Sequence, residues 1–374
     1  MRPPQHLIES LWFLFGSDDE FRNALSVAVD EEERNHITFL SSRGLPPVTS
    51  IEAVATLIGV NSGIVWSFIL RPERYYRKFV LESGRKHRLI MAPRVGLKLI
   101  QKWMSFHLSR VIPIHPHVFG FVPGRSHIDA AFTHRSAEWA YSVDITDFFQ
   151  STPRSLVAEA LQSIGYIGAS ADLVSRLSCV HERLAQGAPS SPALSNLVFY
   201  EMDAALATLA KHHNAELSRF ADDIVFSGKG HFPAQLKEDV HALFELGPWA
   251  LAPQKERLEP IKGRIKVHGL IVNGARVRTT KGYRNKLRAY KHILETRGAL
   301  AENPIQLRGH IGYASQVERR LHYLYAEGIP VPDRPLQVSV SMAVARSAAH
   351  QDRSSDDSPT SFRTFINHLL ARLR

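Results

Sequence analysis

Two adjacent acids between two apolar segments constrain the fold of this chain more than any other feature of its sequence. Asp222 and Asp223 lie between residues 216–220 and residues 224–227, and both flanking segments have the composition of β-strands. A hairpin of two such strands brings both carboxylates to one tight turn, where like charges repel each other. A bound divalent cation would offset that repulsion. The alternative interpretation is an ordinary solvated Asp-Asp turn.

Another acid ends a second apolar segment. Residues 139–143 predict a short buried strand that runs directly into Asp144. Phosphoryl transfer at two metal ions needs carboxylates from separate strands, which hold two Mg²⁺ ions about 4 Å apart. We expect Asp144 and Asp222 to bridge the two ions, with the carbonyl of Ile145 beside them and Asp223 more peripheral. Asp147 is predicted to be a structural or capping acid.

A loop of small residues lies between these acids in the chain. Residues 186–196 read Gln-Gly-Ala-Pro-Ser-Ser-Pro-Ala-Leu-Ser-Asn, and Gly187 would let the backbone come close to a nucleotide. Ser190 and Ser191 are predicted to cap a helix that begins near Pro192. The alternative is an ordinary junction between a loop and a helix.

The charge balance adds a statement about partners. The formal net charge is +10 and the pI is about 9.7, which suggests a polyanionic partner; the alternative is a basic protein that binds no nucleic acid. Cys179 is the single cysteine, so neither an internal disulfide nor a cysteine zinc site is available. We expect a cytoplasmic protein without membrane contact, because no apolar run is long enough for a membrane span.

Local patterns predict the remaining elements. Helices are expected over residues 1–42, 51–82 with a break at Pro72, 95–110, 165–179, 192–213, 233–247 and 281–296. Strands are expected at the end of the basic stretch 84–94 and over 267–272, with a linker at 41–50. Residues 350–361 are polar and predict a flexible tether before an apolar helical stripe at 362–373.

The predicted helix 281–296 carries its own argument for nucleic acid. Its basic residues recur at helical spacing on one side, and apolar residues recur on a separate face. The basic residues are Lys281, Arg284, Arg288 and Lys291. Such a face suits a helix that lies along a phosphate backbone, whereas the alternative is a solvated charged surface.

The order of these motifs resembles the palm of reverse transcriptases. Asp144, the 186–196 loop and the Phe220-Ala221-Asp222-Asp223 box match motifs A, B and C of that family. Residues 85–103 resemble its fingers segment, Gly-Phe-Val-Pro-Gly-Arg-Ser at 120–126 resembles the next block, and Lys255 with residues 267–273 resembles the end of the palm. The likeness covers roughly residues 75–315.

Retron reverse transcriptases resemble this chain more than group II intron enzymes do. Their motif B typically reads Q-G-A-P-T-S-P-A-L-S-N, and this chain differs from it only at Ser190. The chain has Phe220 where tyrosine is usual, and it lacks the Asn of the N-A-x-x-H box and the Thr of the V-T-G box. These departures concern recognition of the cognate RNA rather than DNA synthesis.

The resemblance implies an α+β right-hand polymerase fold, with fingers, a palm made of an antiparallel sheet flanked by helices, and a helical thumb. The corresponding division is an N-terminal helical extension and linker at 1–50, fingers at 51–138 with parts of 160–182, a palm at 139–274, and a thumb with a C-terminal helix at 275–374.

The resemblance also implies roles for individual residues. Phe149 is the candidate for the steric gate that excludes a 2′-hydroxyl, and Lys255 is a possible general acid for pyrophosphate, with a surface lysine as the alternative. The incoming nucleotide would be bound by Arg85, Lys86, Arg88, Gln186 and Gly187. Nucleic acid would be bound by Arg125, His134, His268 and the basic face of 281–296, with core packing as the alternative for the two histidines.

The implied function is synthesis of DNA from dNTPs on part of a cognate structured non-coding RNA, with two Mg²⁺ ions. The product would be a branched RNA–DNA hybrid (msDNA). The enzyme would act in anti-phage defence with an effector protein, and a homo-oligomer within that defence complex is a further possible partner. Three alternatives are another bacterial reverse transcriptase (defence-associated, group II intron-like or diversity-generating), a nucleic-acid-binding scaffold subunit, and an RNA-dependent RNA polymerase. The Ala-Asp-Asp box and Phe149 point away from the last.

Overall fold

The computed structural model describes residues 5–26, 29–83, 86–245, 247–259, 263–298 and 302–329. No helix within those ranges is long and apolar enough to cross a membrane. The predicted tether at 350–361 and the predicted C-terminal helix at 362–373 lie outside the described residues.

Fourteen helices and eleven strands make up the described part of the chain. The helices are α1 (Gln5–Glu9), α2 (Asp18–Ala24), α3 (Glu31–Ser42), α4 (Ile51–Ile58), α5 (Ser62–Leu70), α6 (Val95–Val111), α7 (His127–Thr133), α8 (Arg154–Ser163), α9 (Gly168–Ser178), α10 (Ser191–Val198), α11 (Tyr200–His212), α12 (Ala234–Phe244), α13 (Lys281–Arg297) and α14 (Pro304–Glu327). The strands are β1 (Tyr76–Ser83), β2 (Lys86–Pro93), β3 (Trp139–Asp144), β4 (Cys179–Val180), β5 (Arg183–Leu184), β6 (Glu216–Phe220), β7 (Asp223–Gly228), β8 (Arg257–Glu259), β9 (Lys266–Val267), β10 (Leu270–Ile271) and β11 (Arg278–Thr279).

The central sheet has the strand order β6-β7-β3-β8 and is antiparallel throughout. β3, β6 and β7 form where strands were predicted, at 139–143, 216–220 and 224–227, and most of their side chains are buried. β8, at the edge of the sheet, is mostly exposed. The same apolar core contains residues of α6 and the N-terminal helices, which precede β3 in the sequence, and of α8 to α12, which follow it. The α+β class expected from the sequence is therefore confirmed.

The hairpin of β1 and β2 corrects one prediction. Residues 76–82 were expected to be helical, but they form β1, which pairs with β2 over eight residue pairs from Tyr76–Pro93 to Ser83–Lys86. β-branched and aromatic side chains in this segment favour an extended chain once a partner strand is available. The strand predicted to end at Pro93 is confirmed as β2.

Two further predictions were wrong in detail. The expected single helix 192–213 is divided at Phe199, whose backbone angles (φ −84°, ψ 1°) depart from those of an α-helix between α10 and α11. The expected strand 267–272 is a hairpin of β9 and β10, because His268 and Gly269 both adopt positive φ angles and reverse the chain. The predicted linker 41–50 falls on the irregular connection between α3 and α4. Residues 45–49 of this connection are buried, and the hydroxyl of Tyr166 donates to the carbonyl of Pro46.

A second, smaller core joins α7, the β9–β11 sheet and α14. α14 is anchored to α7 by an ion pair between Arg320 and the buried Asp129 at 2.7 Å. α13 confirms the predicted helix 281–296, and it packs on α14 through half-buried residues such as Tyr283, whose ring lies 6.0 Å from that of Tyr313.

Candidate active site

Strand pairing brings the three acids to one edge of the central sheet. Asp144 ends β3 and Asp223 begins β7, and these two residues face each other in the antiparallel register. The backbone N–H of Ile145 donates to the carbonyl of Asp222 at 2.9 Å. Residues that are 78 or more positions apart in the sequence therefore share one site because β3 and β7 are neighbours.

The turn that carries Asp222 is unusually tight. β6 and β7 are joined by Ala221 and Asp222 alone, because Phe220 pairs with Asp223. Ala221 has a φ of +61°, a conformation that two-residue hairpin turns usually give to glycine. Alanine has the Cβ atom that disfavours this conformation, so the turn carries steric strain that the surrounding contacts must offset.

The segment before α7 braces the same turn. The N–H groups of Phe119 and Gly120 both donate to the carbonyl of Arg219, at 2.8 and 3.4 Å. A Cβ atom on Gly120 would lie 2.2 Å from the backbone nitrogen of Ala221. Only glycine fits there, so this residue lets the two backbones touch.

A buried arginine supports the turn from below, and the sequence reasoning missed it. The Arg219 side chain is fully buried, and its guanidinium donates to both carboxylate oxygens of Asp203 at 2.6 Å. It also donates to the carbonyl of Ala221 and to the side chain of Asn196, each at 3.1 Å. One cation thus ties the acidic turn to α10 and α11. The only signal in the sequence was an arginine next to Phe220 in a segment with strand character, and an arginine buried in a sheet needs a buried partner.

The electrostatics of the site favour a bound positive charge. Burial raises the pKa of the Asp144 carboxyl, and the charges of Asp222 and Asp223 raise it further. The ammonium of Lys255 opposes that rise, because it forms an ion pair with the Asp144 carboxylate. Lys255 belongs to the 3-10 helix Pro253–Lys255, which follows the backbone bond from Ala252 N to the Asp144 carbonyl.

Carboxylate oxygens are the ligands that Mg²⁺ prefers, and the three acids supply them on adjacent strands. No group of three or more acidic, histidine or cysteine side chains within the described residues is already arranged to hold a metal ion. The Lys255 ammonium instead stands against Asp144, at a point where the neighbouring negative charges favour a cation. The donor chemistry therefore suits a divalent metal ion.

The small-residue loop joins the β1–β2 hairpin to the site. The carbonyl of Gln186 accepts from the N–H of Met91 at 2.8 Å, and its side chain accepts from Gln150 at 3.1 Å. Gly187 has a φ of +111°, and a Cβ atom there would lie 2.7 Å from the side chain of Ile90. This glycine serves close packing of the loop against β2.

The predicted serine cap of α10 is not formed. Ser190 occupies the N-cap position without a side-chain hydrogen bond. The hydroxyl of Ser191 donates instead to the carbonyl of Ala185 at 2.8 Å. The loop's own backbone competes successfully for this hydroxyl, and Pro192 in the first turn removes an N–H that would otherwise need a cap.

Phe149 lies between two other aromatic rings. Its ring centroid is 5.7 Å from that of Phe148 and 5.9 Å from that of Phe121. Phe148 is buried, whereas Phe149 is half-buried. The sequence reasoning did not single out Phe121.

The basic residues of the β1–β2 hairpin are only partly described. Arg88 is exposed on β2 and faces Leu81 of β1. Lys86 pairs with Ser83 at the end of the strand, and Arg85 lies outside the described residues.

Three residues expected to touch nucleic acid have other partners. Arg125 donates to the carbonyls of His115, Pro116 and Val118 at 2.5 to 3.1 Å, so its guanidinium holds a loop. His134 is fully buried and has a serine hydroxyl 2.7 Å from each ring nitrogen. The expectation that His134 contacts RNA is corrected on that ground: the residue has no surface to offer. His268 is nearly buried as well.

His268 lies against the acidic site instead. Its Nδ1 atom is 3.2 Å from Oδ2 of Asp223, and its ring is 5.5 Å from that of Phe220. Its side chain is only 6% exposed, so its contact with the carboxylate leaves little surface for nucleic acid.

The basic face of α13 is largely open. Lys281, Arg288 and Lys291 are exposed. Arg284 is half-buried and donates to the carbonyl of Thr279 at 2.8 Å. Three of the four basic residues are therefore accessible to a polyanion, and the fourth also serves the start of the helix.

Comparison with known proteins gives a consistent match. Residues 80–272 match the family model described as reverse transcriptase (RNA-dependent DNA polymerase). The Retron Mx65 reverse transcriptase of Myxococcus xanthus is 31% identical over 303 residues, which cover 72% of this chain and 67% of that protein. The Retron Mx162 reverse transcriptase of the same organism is 28% identical and aligns over 69% of this chain and 59% of its own length. The Retron Ec86 reverse transcriptase of Escherichia coli is 24% identical over 76% of this chain and 89% of its own.

Proposed function

This chain belongs to the retron-type reverse transcriptases, which are RNA-directed DNA polymerases, and from that membership we propose that it copies part of a cognate structured non-coding RNA into DNA. The product is a branched RNA–DNA hybrid, msDNA, primed from an internal guanosine 2′-hydroxyl. The proposed division is fingers at 51–138, palm at 139–274 and thumb from residue 275.

One observation carries the catalytic part of this proposal. Asp144 and Asp223 face each other across β3 and β7, and Asp222 is linked by its carbonyl to Ile145. The arrangement supports a site in which Asp144 and Asp222, with the Ile145 carbonyl, bind two Mg²⁺ ions and Asp223 assists at the edge.

The reaction is a phosphoryl transfer in which the primer hydroxyl oxygen bonds to the α-phosphorus of a dNTP. The bond from that phosphorus to the β-phosphate oxygen breaks, and pyrophosphate leaves. When bound, the metal pair lowers the pKa of the attacking hydroxyl and neutralises the charge of the triphosphate. Lys255, whose ammonium already reaches Asp144, is assigned to give a proton to the leaving pyrophosphate.

The remaining nucleotide contacts follow from the surroundings of the acids. Arg88 and Lys86 on β2, together with Arg85, which precedes them in the sequence, bind the triphosphate, where guanidinium groups offer paired hydrogen bonds. Gln186 and Gly187 border the nucleotide. Phe149 lies under the sugar and excludes a 2′-hydroxyl.

The RNA and its DNA copy are held along α13, where Lys281, Arg288 and Lys291 are exposed to solvent. In the cell we propose a role in anti-phage defence, in which the enzyme and its RNA–DNA hybrid inhibit an effector protein. The enzyme and the effector can form this complex with several copies of the enzyme. The names of the matched relatives, which are retron reverse transcriptases, favour this role over that of an intron or diversity-generating enzyme.

The catalytic part is tested with Asp144→Asn and Asp222→Asn in a primer-extension assay on an RNA template. Both variants should lose DNA synthesis and keep the melting temperature of the parent, because the apolar strands that carry the acids are unchanged. Asp147→Asn is the matched control, since Asp147 is an exposed acid three residues from Asp144 and lies in a positive-φ conformation that asparagine tolerates. Near-normal synthesis by either site variant would refute the assignment.

The retron part is tested on the nucleic acid that copurifies with the protein. We expect a species that loses mass with both RNase and DNase and that a 2′–5′ debranching activity separates into one RNA and one DNA strand. A purely linear RNA, or no DNA, would favour another kind of reverse transcriptase.

A further inference from the structure

Phe119 and Gly120 are held in place by β6 with the turn that follows it and by α10. The N–H groups of Phe119 and Gly120 donate to the Arg219 carbonyl on β6. The carbonyl of Gly120 accepts from the side chain of Asn196 on α10 at 3.0 Å. Because Gly120 also lies in contact with the backbone of Ala221, this segment moves only if the acidic turn and α10 move with it.

Phe121 leaves this anchored segment in a strained conformation. Its φ is +61°, which is rare for a bulky residue with a Cβ atom. Such conformations persist where the surrounding structure enforces them, and they cluster at functional sites. The ring is 39% exposed and borders a cavity of about 340 Å³ with Ser105, Pro189 and Pro192. Core packing therefore does not explain its position.

The ring of Phe121 contacts that of Phe149. The centroids are 5.9 Å apart with an interplanar angle of 40°, within the range of favourable aromatic pairs. Phe148 contacts Phe149 at 5.7 Å and is buried. Phe149 is thus supported by a core ring from its own segment and by an exposed ring from a segment 28 residues away.

A side chain that excludes a 2′-hydroxyl must keep its rotamer when a ribonucleotide pushes against it. Phe148 alone leaves the exposed side of Phe149 free to turn. We propose that Phe121 is a positioning residue for sugar selection, which holds Phe149 in the orientation that excludes a ribose. This inference rests on the proposed role of Phe149 as the steric gate. The strained backbone of Phe121 directs its ring against that of Phe149.

The experiment measures single-nucleotide insertion of dATP and ATP opposite a template uridine, as the ratio of their kcat/KM values. Phe149→Ala should raise the share of ATP. Phe121→Leu and Phe121→Ala should raise it in the same direction by about tenfold, which is typical of a lost apolar contact in a specificity pocket. Phe121→Tyr keeps the ring pair and should restore the parent ratio.

Phe39→Ala is the matched control, because Phe39 is 40% exposed and lies on α3 in the N-terminal region. The double variant Phe121→Ala with Phe149→Ala should have the same ratio of kcat/KM for ATP and dATP as Phe149→Ala alone. The reason is that Phe121 has no effect on sugar selection once the ring of Phe149 is gone.

The possible results distinguish the proposed role of Phe121 from the proposed role of Phe149 as the steric gate. A shift for Phe149→Ala with none for active Phe121→Ala or Phe121→Leu overturns the brace and leaves the gate intact. No shift for either position overturns the gate itself. Equal losses for dATP and ATP in the Phe121 variants would mean that the ring contacts primer or template, which also overturns the proposal. If Phe121→Ala fails to fold, Phe121→Leu and Phe121→Tyr decide the outcome.

Discussion

Replacing Asp203 with alanine removes the carboxylate that pairs with the buried guanidinium of Arg219. The side chain of Arg219 is fully buried and that of Asp203 is 2% exposed. Both guanidinium bonds to the carboxylate measure 2.6 Å. The substitution leaves a desolvated cation, so the cost is that of an unpaired buried charge and not only of two hydrogen bonds.

Breaking a buried ion pair by removing one partner typically costs about 3–5 kcal/mol. His117 lies 3.9 Å from Asp203, but burial lowers the pKa of His117 to about 4, so it is neutral at pH 7 and contributes no second ion pair. A loss of about 4 kcal/mol corresponds to a fall in melting temperature of roughly 10 °C for a protein of several hundred residues.

The substitution should also disturb the acidic turn. Arg219 donates to the carbonyl of Ala221 and to Asn196, and without Asp203 the guanidinium is expected to move towards water. We therefore expect DNA synthesis to fall even at temperatures where Asp203→Ala remains folded.

The assay is urea unfolding followed by circular dichroism, with primer extension at 20 °C on the same preparations. Asp172→Ala is the control, because Asp172 also forms a 2.6 Å bond to an arginine, Arg154, but is 45% exposed. Surface pairs contribute only about 0–1 kcal/mol. Replacing Asp203 and Arg219 together with Leu and Met should recover part of the lost stability. Equal destabilisation by Asp203→Ala and Asp172→Ala would refute the reasoning.

Three more predictions concern the turn, a buried histidine and the basic helix. Gly120→Ala should lower the free energy of unfolding by about 1–3 kcal/mol and abolish DNA synthesis, because its Cβ would lie 2.2 Å from the nitrogen of Ala221. DNA synthesis at the wild-type rate would show that the turn can shift to accommodate the methyl group. Burial lowers the pKa of His134 to about 3, below the value of about 6.5 in the unfolded chain. Stability should thus be lost as the pH falls from 6.5, by up to about 1.4 kcal/mol per pH unit, and urea titrations of His134→Gln should lack that component. Charge reversal at Arg288 and Lys291 should reduce the slope of log Kd against log salt by about 1 per lost phosphate contact. An unchanged slope would show that this face of α13 does not contact nucleic acid.

Some structural features follow from local sequence alone. Residues 139–143, 216–220 and 224–227 are short segments with strand character next to acids, and they lie in β3, β6 and β7 as predicted. The helix at 281–296 follows equally directly, because its apolar residues recur at helical spacing. In each case the signal lies within one element, so a short window of sequence contains it.

Other features were misjudged because their cause lies outside any such window. Residues 76–82 have no strand partner until residues 86–93 fold back on them. Residues 45–49 form the connection that their composition indicates, but their burial was not predicted, and one of their carbonyls accepts from Tyr166, about 120 positions away. Composition predicts exposure on average, but burial depends on what packs above a segment.

The sequence by itself determined that this chain carries three acids on strand ends in a fixed order, and hence which family it resembles. Only the tertiary structure decided how those acids are supported, by Arg219 beneath the turn and by Gly120 against Ala221. It alone also placed Phe121 beside Phe149. The physical reason is that the chemistry of an acid is encoded in its side chain, whereas the role of an arginine, a glycine or a phenylalanine depends on the neighbours that folding brings to it.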